Sequence, residues 1–176
     1  MTEALTDTAR VRLAGAGDEA AFASLVGEHH ASMARVAYAI TGNPDSAADA
    51  VQAAWATAWR RLSSLRDAGV VRAWLVAIAA NEARQLIRRQ RQRAIVDISS
   101  VTEPASEGDP GDRIATVDLA RVLRALEPGD RTLLALRYGA GLDSSEIAAQ
   151  LGISASGVRS RLARLLDRLR MELDHA

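Results

Sequence analysis

The chain has 176 residues, 48% hydrophobic and only 3% aromatic, with no cysteine and equal numbers of basic and acidic side chains, 22 of each. That length allows one or two small domains, and a core built mainly of Ala, Leu, Val and Ile favours packed helices. Disulfides and thiolate zinc sites are excluded, no stretch approaches the ~18 apolar residues of a membrane span, and MTEALTDTAR lacks the apolar core of a signal sequence, so a cytoplasmic location is expected.

Net neutrality conceals a division. Residues 18–93 carry ten Arg against seven acids, net +3; residues 94–114 carry one Arg against five acids, net −4; residues 115–176 carry nine Arg against eight acids, net +1. All 22 basic residues are Arg.

Residues 1–17 are expected as an N-terminal tail. From about Glu19 to Ile40 the residues Phe22, Leu25, Val26, Met33, Val36 and Ile40 recur at helical spacing, and Gly42 ends the helix. Asn43-Pro44 opens a second helix, with Asn as cap and Pro at the first helical position. It runs to about Leu62 with Val51, Trp55, Ala58 and Leu62 on one side. Ser63–Val70 reads as a loop containing Gly69. A third long helix spans Val71–Arg93, with Trp74, Leu75, Ile78 and Leu86 inward, and it ends in RQLIRRQRQR, five Arg in ten residues.

Ala94–Ile114, AIVDISSVTEPASEGDPGDRI, combines two prolines, two glycines and most of the local acid, the composition of a flexible linker. Fully extended, its 21 residues reach roughly 70 Å. Thr116–Leu126 and Asp130–Tyr138 read as two further helices. No segment alternates with period two, so no sheet is expected. The fold class is therefore all-α: two small helical domains, 18–93 and 115–176, joined by a flexible acidic linker.

The C-terminal stretch Gly141–Leu169 has the plan of a helix-turn-helix. Asp143 and Glu146 form a D-x-x-E capping box, Ile147, Ala148 and Leu151 give an apolar face, Gly152 makes the turn and Ser154 caps the second helix. Val158, Leu162, Leu165 and Leu169 form a buried stripe, and Arg159, Ser160, Arg161, Ala163, Arg164 and Arg168 lie off it. Ser154–Arg170 holds five Arg and one acid, net +4, at the position of a recognition helix. Arginine there can bind guanine bidentately or clamp a phosphate, whereas a charged helix face without a ligand is simply solvated.

Catalysis has little support. His29 and His30 point about 100° apart on a helix and do not converge on one metal, His29 reads as a core residue, and there is neither a Gly-rich phosphate loop nor a G-x-S-x-G motif. No cofactor, metal or small-molecule substrate is expected.

Four motifs in order resemble the extracytoplasmic-function group of sigma factors, the minimal two-domain branch of the sigma-70 family. DSAADAVQAAWATAWR (Asp45–Arg60) is similar to the helix that grips core RNA polymerase. VRAWLVAIAANEARQLIRRQRQR (Val71–Arg93) is similar to the part of region 2 that opens and reads the −10 element. LEPGDRTLLALRYGAGLDSSEIAAQLGIS (Leu126–Ser154) matches the front of region 4, and SASGVRSRLARLLDRLR (Ser154–Arg170) its −35-reading helix. The resemblance covers about Ala21 to Leu169 and implies core RNA polymerase and promoter DNA as partners, together with a cognate anti-sigma factor.

It also implies residue roles. Asp49, Val51 and Gln52 keep the polymerase-binding pattern D-L-V-Q-E-T-F, so Asp49 and Gln52 are the candidate polymerase contacts. Ala53 and Ala54 replace an acid and a hydroxyl there, and their loss is expected to remove two polar contacts; Ala80 stands where a basic residue is common. Arg72, Trp74 and Asn81 match R-A-W-L…I-A-R-N, with Trp74 read as packing. The loop Ser64–Val70 resembles the element that captures a flipped −10 base. Arg72, Asn81, Arg84, Arg88 and Arg91 are the −10 candidates, the arginines through phosphate contacts and counterion release. In the last helix Ser160 and Arg164 are the expected base readers, Arg161 and Arg168 the phosphate clamps, and Arg159 stands beside them. Two other readings share part of this evidence: a free-standing helix-turn-helix regulator, and a sigma-like decoy that binds polymerase or an anti-sigma partner without opening DNA.

Overall fold

The computed structural model describes residues 7–96 and 125–174, and every regular element among them is helical. The chain runs through α1 (Asp7–Gly15), α2 (Glu19–Thr41), α3 (Pro44–Arg61), α4 (Val71–Val96), α5 (Pro128–Leu134), a π-helical turn (Ala135–Gly139), α6 (Ser144–Leu151) and α7 (Ala155–Asp174). Most of the segment expected as linker, and most of the helix expected at Thr116–Leu126, lie outside the described residues.

Local signals set the helix ends. Asp18 caps α2 by accepting from Ala21 N at 2.8 Å, and Gly42 closes it at φ 68°, a conformation glycine adopts without a Cβ penalty. Asn43 Oδ1 accepts from Ser46 N at 2.8 Å with Pro44 beside it, so one helix stops and the next starts within three residues. Between α3 and α4, two short 3₁₀ turns, Leu62–Ser64 and Ala68–Val70, carry the chain round; Asp67 Oδ1 holds the second by accepting from Gly69 N at 2.8 Å. The segment expected as a tail contains α1, which packs on α2 and ties to it through Arg10 and Glu28 at 2.7 Å.

Helices α2, α3 and α4 pack against one another as the N-terminal unit. Its core is rich in alanine: Ala37, Ala50, Ala54, Ala58, Ala73, Ala79, Ala80 and Ala83 are buried, alongside Leu25, Met33, Val36, Ile40, Leu62, Leu75 and Val76. The burial of Ala54 corrects the expectation of a lost polar contact there: it is fully buried, and a hydroxyl at that position would face the core. Ala80 is buried too and lines a cavity of about 360 Å³ with Asn81 and Arg84. His29 is buried as well.

In the C-terminal unit α5 continues into one π turn before the helix-turn-helix, and α6 and α7 pack together and against it. Leu133, Leu136, Leu142, Ile147, Val158 and Leu165 form its centre. This unit lies against α2 and α4. Arg131, 6% exposed, donates from Nη1 to the Ile40 carbonyl at 2.8 Å and from Nη2 to the Leu126 carbonyl at 3.0 Å. Arg72 donates in the opposite direction, to the Ala140 carbonyl. Each unit thus sends one guanidinium to a backbone carbonyl of the other.

Candidate nucleic-acid interface

The helix-turn-helix is built by its own sequence. Asp143 Oδ1 accepts from Ser145 N and Glu146 N at 2.7 and 2.8 Å, while Glu146 Oε2 accepts from Asp143 N at 2.7 Å: a complete capping box. Gly152 ends α6 at φ 67°, and Ser154 Oγ accepts from Gly157 N at 3.0 Å to start α7. Val158, Leu162, Leu165 and Leu169 are all buried, which fixes the rotation of α7 about its axis. The other faces are thereby turned outward. Arg159, Ser160, Arg161, Arg164 and Arg168 are exposed, as a helix lying in a groove of DNA requires.

These five do not share one environment. Arg159, Ser160 and Arg164 have no side-chain partner among the described residues. Arg168 Nη2 meets Asp130 Oδ2 at 2.6 Å, and Arg161 Nη2 lies 3.7 Å from Asp130 Oδ1. Nothing in the spacing of α7 pointed to Asp130, which comes from the first turn of α5 and reaches α7 only through tertiary packing.

On α4 the residues Asn81, Arg84, Arg88 and Arg91 line one groove of about 320 Å³, together with Gln85, and Pro128 closes one end. Helical spacing alone puts Arg84, Arg88 and Arg91 on one face, and the exposed guanidiniums make it a strip of positive potential suited to a phosphate backbone. Arg72 stands apart at the start of α4, engaged with the Ala140 carbonyl. Arg91 also acts on Arg131: burial, and then the nearby Arg91, pull the Arg131 guanidinium below the usual arginine range, and Glu127 opposes them. Arginine stays protonated in proteins, so the two carbonyls accepting from Arg131 offset the burial of a charge.

Asp49 and Gln52 are exposed on one face of α3. Residues 49, 52, 56 and 59 continue that face turn by turn, and at its end stands Trp59, 40% exposed, its ring edge-on to Phe22 at 4.8 Å. An exposed tryptophan on the helix face that carries Asp49 and Gln52 has the composition of a protein-binding hot spot. The sequence reading passed over Trp59; its spacing of seven from Gln52 was the available signal. Trp55, by contrast, is half-buried, edge-on to Phe22 at 5.6 Å, and donates from Nε1 to His30 Nδ1 at 3.3 Å, so it packs.

Comparison with known proteins matches residues 25–93 to sigma-70 region 2 and residues 116–169 to sigma-70 region 4. The RNA polymerase sigma factor NccH of Alcaligenes xylosoxydans xylosoxydans is 33% identical over 174 residues, covering 93% of this chain and 92% of NccH. The ECF RNA polymerase sigma factor SigL of Mycobacterium tuberculosis is 31% identical over 169 residues, covering 94% of this chain and 96% of SigL. Among solved structures, CnrH in complex with the cytosolic domain of CnrY superposes with a TM-score of 0.72 at 28% identity, covering 96% of this chain and 97% of CnrH.

Proposed function

The chain belongs to the sigma-70 family, in its extracytoplasmic-function group, and on that premise we propose how its residues divide the work of promoter-specific initiation. It is a sigma factor: it binds core RNA polymerase and directs it to promoter DNA. The observation that carries the assignment is the pair of matches in order, each ending in a helix with an outward arginine row.

In this reading residues 18–93 act as region 2, 94–114 as the linker and 115–176 as region 4. Asp49 and Gln52 on α3, with Trp59 extending their face, contact core polymerase. Asn81, Arg84, Arg88 and Arg91 on α4, with Arg72, hold the −10 strand, and the loop Ser64–Val70 receives a base turned out of the duplex. Unstacking a base costs a few kcal/mol, which phosphate contacts along α4 offset by releasing counterions. Ser160 and Arg164 read −35 base edges, with Arg159 and Arg161 nearest the phosphate backbone and Arg168, the second clamp expected from the sequence, held at Asp130. In this reading the chain supplies binding energy and leaves the covalent chemistry to the polymerase, and it works where core polymerase and promoter DNA are, in the cytoplasm. CnrH was solved with the cytosolic domain of CnrY; we propose that this chain too is held by a protein antagonist of that kind.

Run-off transcription with purified core polymerase on a library of promoter-like duplexes, with and without this protein, tests the assignment. Transcripts that appear only with the protein support it and yield both element preferences. Binding to core without transcripts would make the chain a decoy, and DNA binding without any affinity for core would make it a free-standing regulator.

A further inference from the structure

Asp130 stands where two arginines of the recognition helix converge. It lies in the first turn of α5 with its side chain 17% exposed, so it has little freedom to swing away. It takes a short charge-assisted bond from Arg168 at 2.6 Å and has Arg161 at 3.7 Å. A Cβ built on Gly129 would lie 3.9 Å from Arg161 Nη2, so this guanidinium lies over the α5 backbone rather than reaching freely outward. Arg161 and Arg168 are two turns apart on one edge of α7, and Arg164 lines the same groove with no partner among the described residues.

Resting on the reading of α7 as the −35 helix, we propose that Asp130 is a specificity-determining residue. Its carboxylate withholds Arg168, and partly Arg161, from indiscriminate phosphate contact, and leaves Arg164 and Ser160 to the base edges. Non-specific affinity scales with the number of phosphates neutralised, whereas sequence is read at the bases. The groove is lined by Arg161, Arg164, Arg168, Asp130 and Asp167, net +1. A phosphate that approaches Arg168 must also approach the carboxylate bound to it. Replacing that carboxylate by an amide doubles the groove's net charge without changing its shape. A purely structural staple between α5 and α7 would act in the opposite direction, since its loss would weaken binding to every sequence.

The test uses holoenzyme reconstituted with core polymerase. Binding to the duplex selected by transcription, and to the same duplex with its −35 element scrambled, is followed by anisotropy from about 0.05 to 0.3 M salt. Asp130→Asn is expected to bind the scrambled duplex about five- to tenfold tighter near 0.1 M salt, with a log–log salt slope steeper by about 1. The selected duplex is expected to gain less, so the specificity ratio falls. Asp130→Glu, which keeps the charge, is expected to retain the wild-type slope, and adding Arg168→Gln to Asp130→Asn to restore it. An unchanged slope in Asp130→Asn, or an equal loss on both duplexes, overturns the proposal while leaving α7 as the −35 reader. A wild-type holoenzyme indifferent to the −35 element overturns both.

Discussion

At the scale of single residues, environment separates side chains of identical chemistry. Arg164 is free to meet a base edge, Arg168 is tied to Asp130, and Arg131 is buried against two carbonyls. Arg164→Ala is expected to relax −35 discrimination by roughly 1–3 kcal/mol, measured as transcription from promoters with altered −35 elements; an unchanged preference would remove it from the readers. Arg88→Ala on the exposed α4 face is expected to weaken binding evenly across sequences and to lower the salt slope by about 1. Arg131→Met leaves the Ile40 and Leu126 carbonyls without these donors and is expected to cost about 1–3 kcal/mol in a urea melt. The sequence made the outward arginines of α7 and the shared face of Arg84, Arg88 and Arg91 legible, because helical periodicity alone places them. It left Arg131 and Asp130 indistinguishable from other charges, since their partners come from other elements. Ala54 misled for a related reason: alanine carries no signal of inside or outside, and only packing reveals that it is buried.

At the scale of elements, caps were the most readable part of the chain. Gly42, Asn43, Asp143, Gly152 and Ser154 each end or begin a helix where the sequence placed them, because capping depends on neighbours within four residues. Asp143→Ala removes both acceptor bonds of the box and is expected to destabilise by about 1 kcal/mol, visible as a lower urea midpoint with an unchanged slope. Helix α1 was not legible: DTARVRLAG has too few apolar residues for a clear period, and the helix is stabilised by packing on α2 and by the Arg10–Glu28 pair. The π turn at Ala135–Gly139 was equally hidden, because it inserts into an otherwise ordinary helical pattern and buries Ala135 and Leu136 while Arg137 and Tyr138 stay exposed.

At the scale of the whole molecule, the two units touch through α2, α4, α5 and the π turn, so the candidate −10 and −35 faces belong to one packed body. Composition made the two units legible but said nothing about their docking, which joins their apolar cores and adds two guanidinium-to-carbonyl bonds between residues 91 and 68 apart in sequence. Two DNA sites about two turns, or roughly 70 Å, apart cannot both be occupied while the units touch. The chain has no cysteine, so Arg35→Cys and Arg137→Cys, both exposed, offer a clean pair for dyes. Energy transfer between them is expected to be high in the free protein and to fall when polymerase and promoter are added; constant transfer would show that the docked arrangement persists on DNA. Where α3 packs on α4, both helices bring buried alanines to the seam, Ala50, Ala54 and Ala58 from one and Ala73, Ala79, Ala80 and Ala83 from the other. A methyl group has no rotamer to change, so the seam has almost no internal slack. A force applied to α3 is therefore expected to reach α4 as movement of a stiff body, coupling the helix proposed to meet the polymerase to the helix proposed to meet the DNA as a single lever.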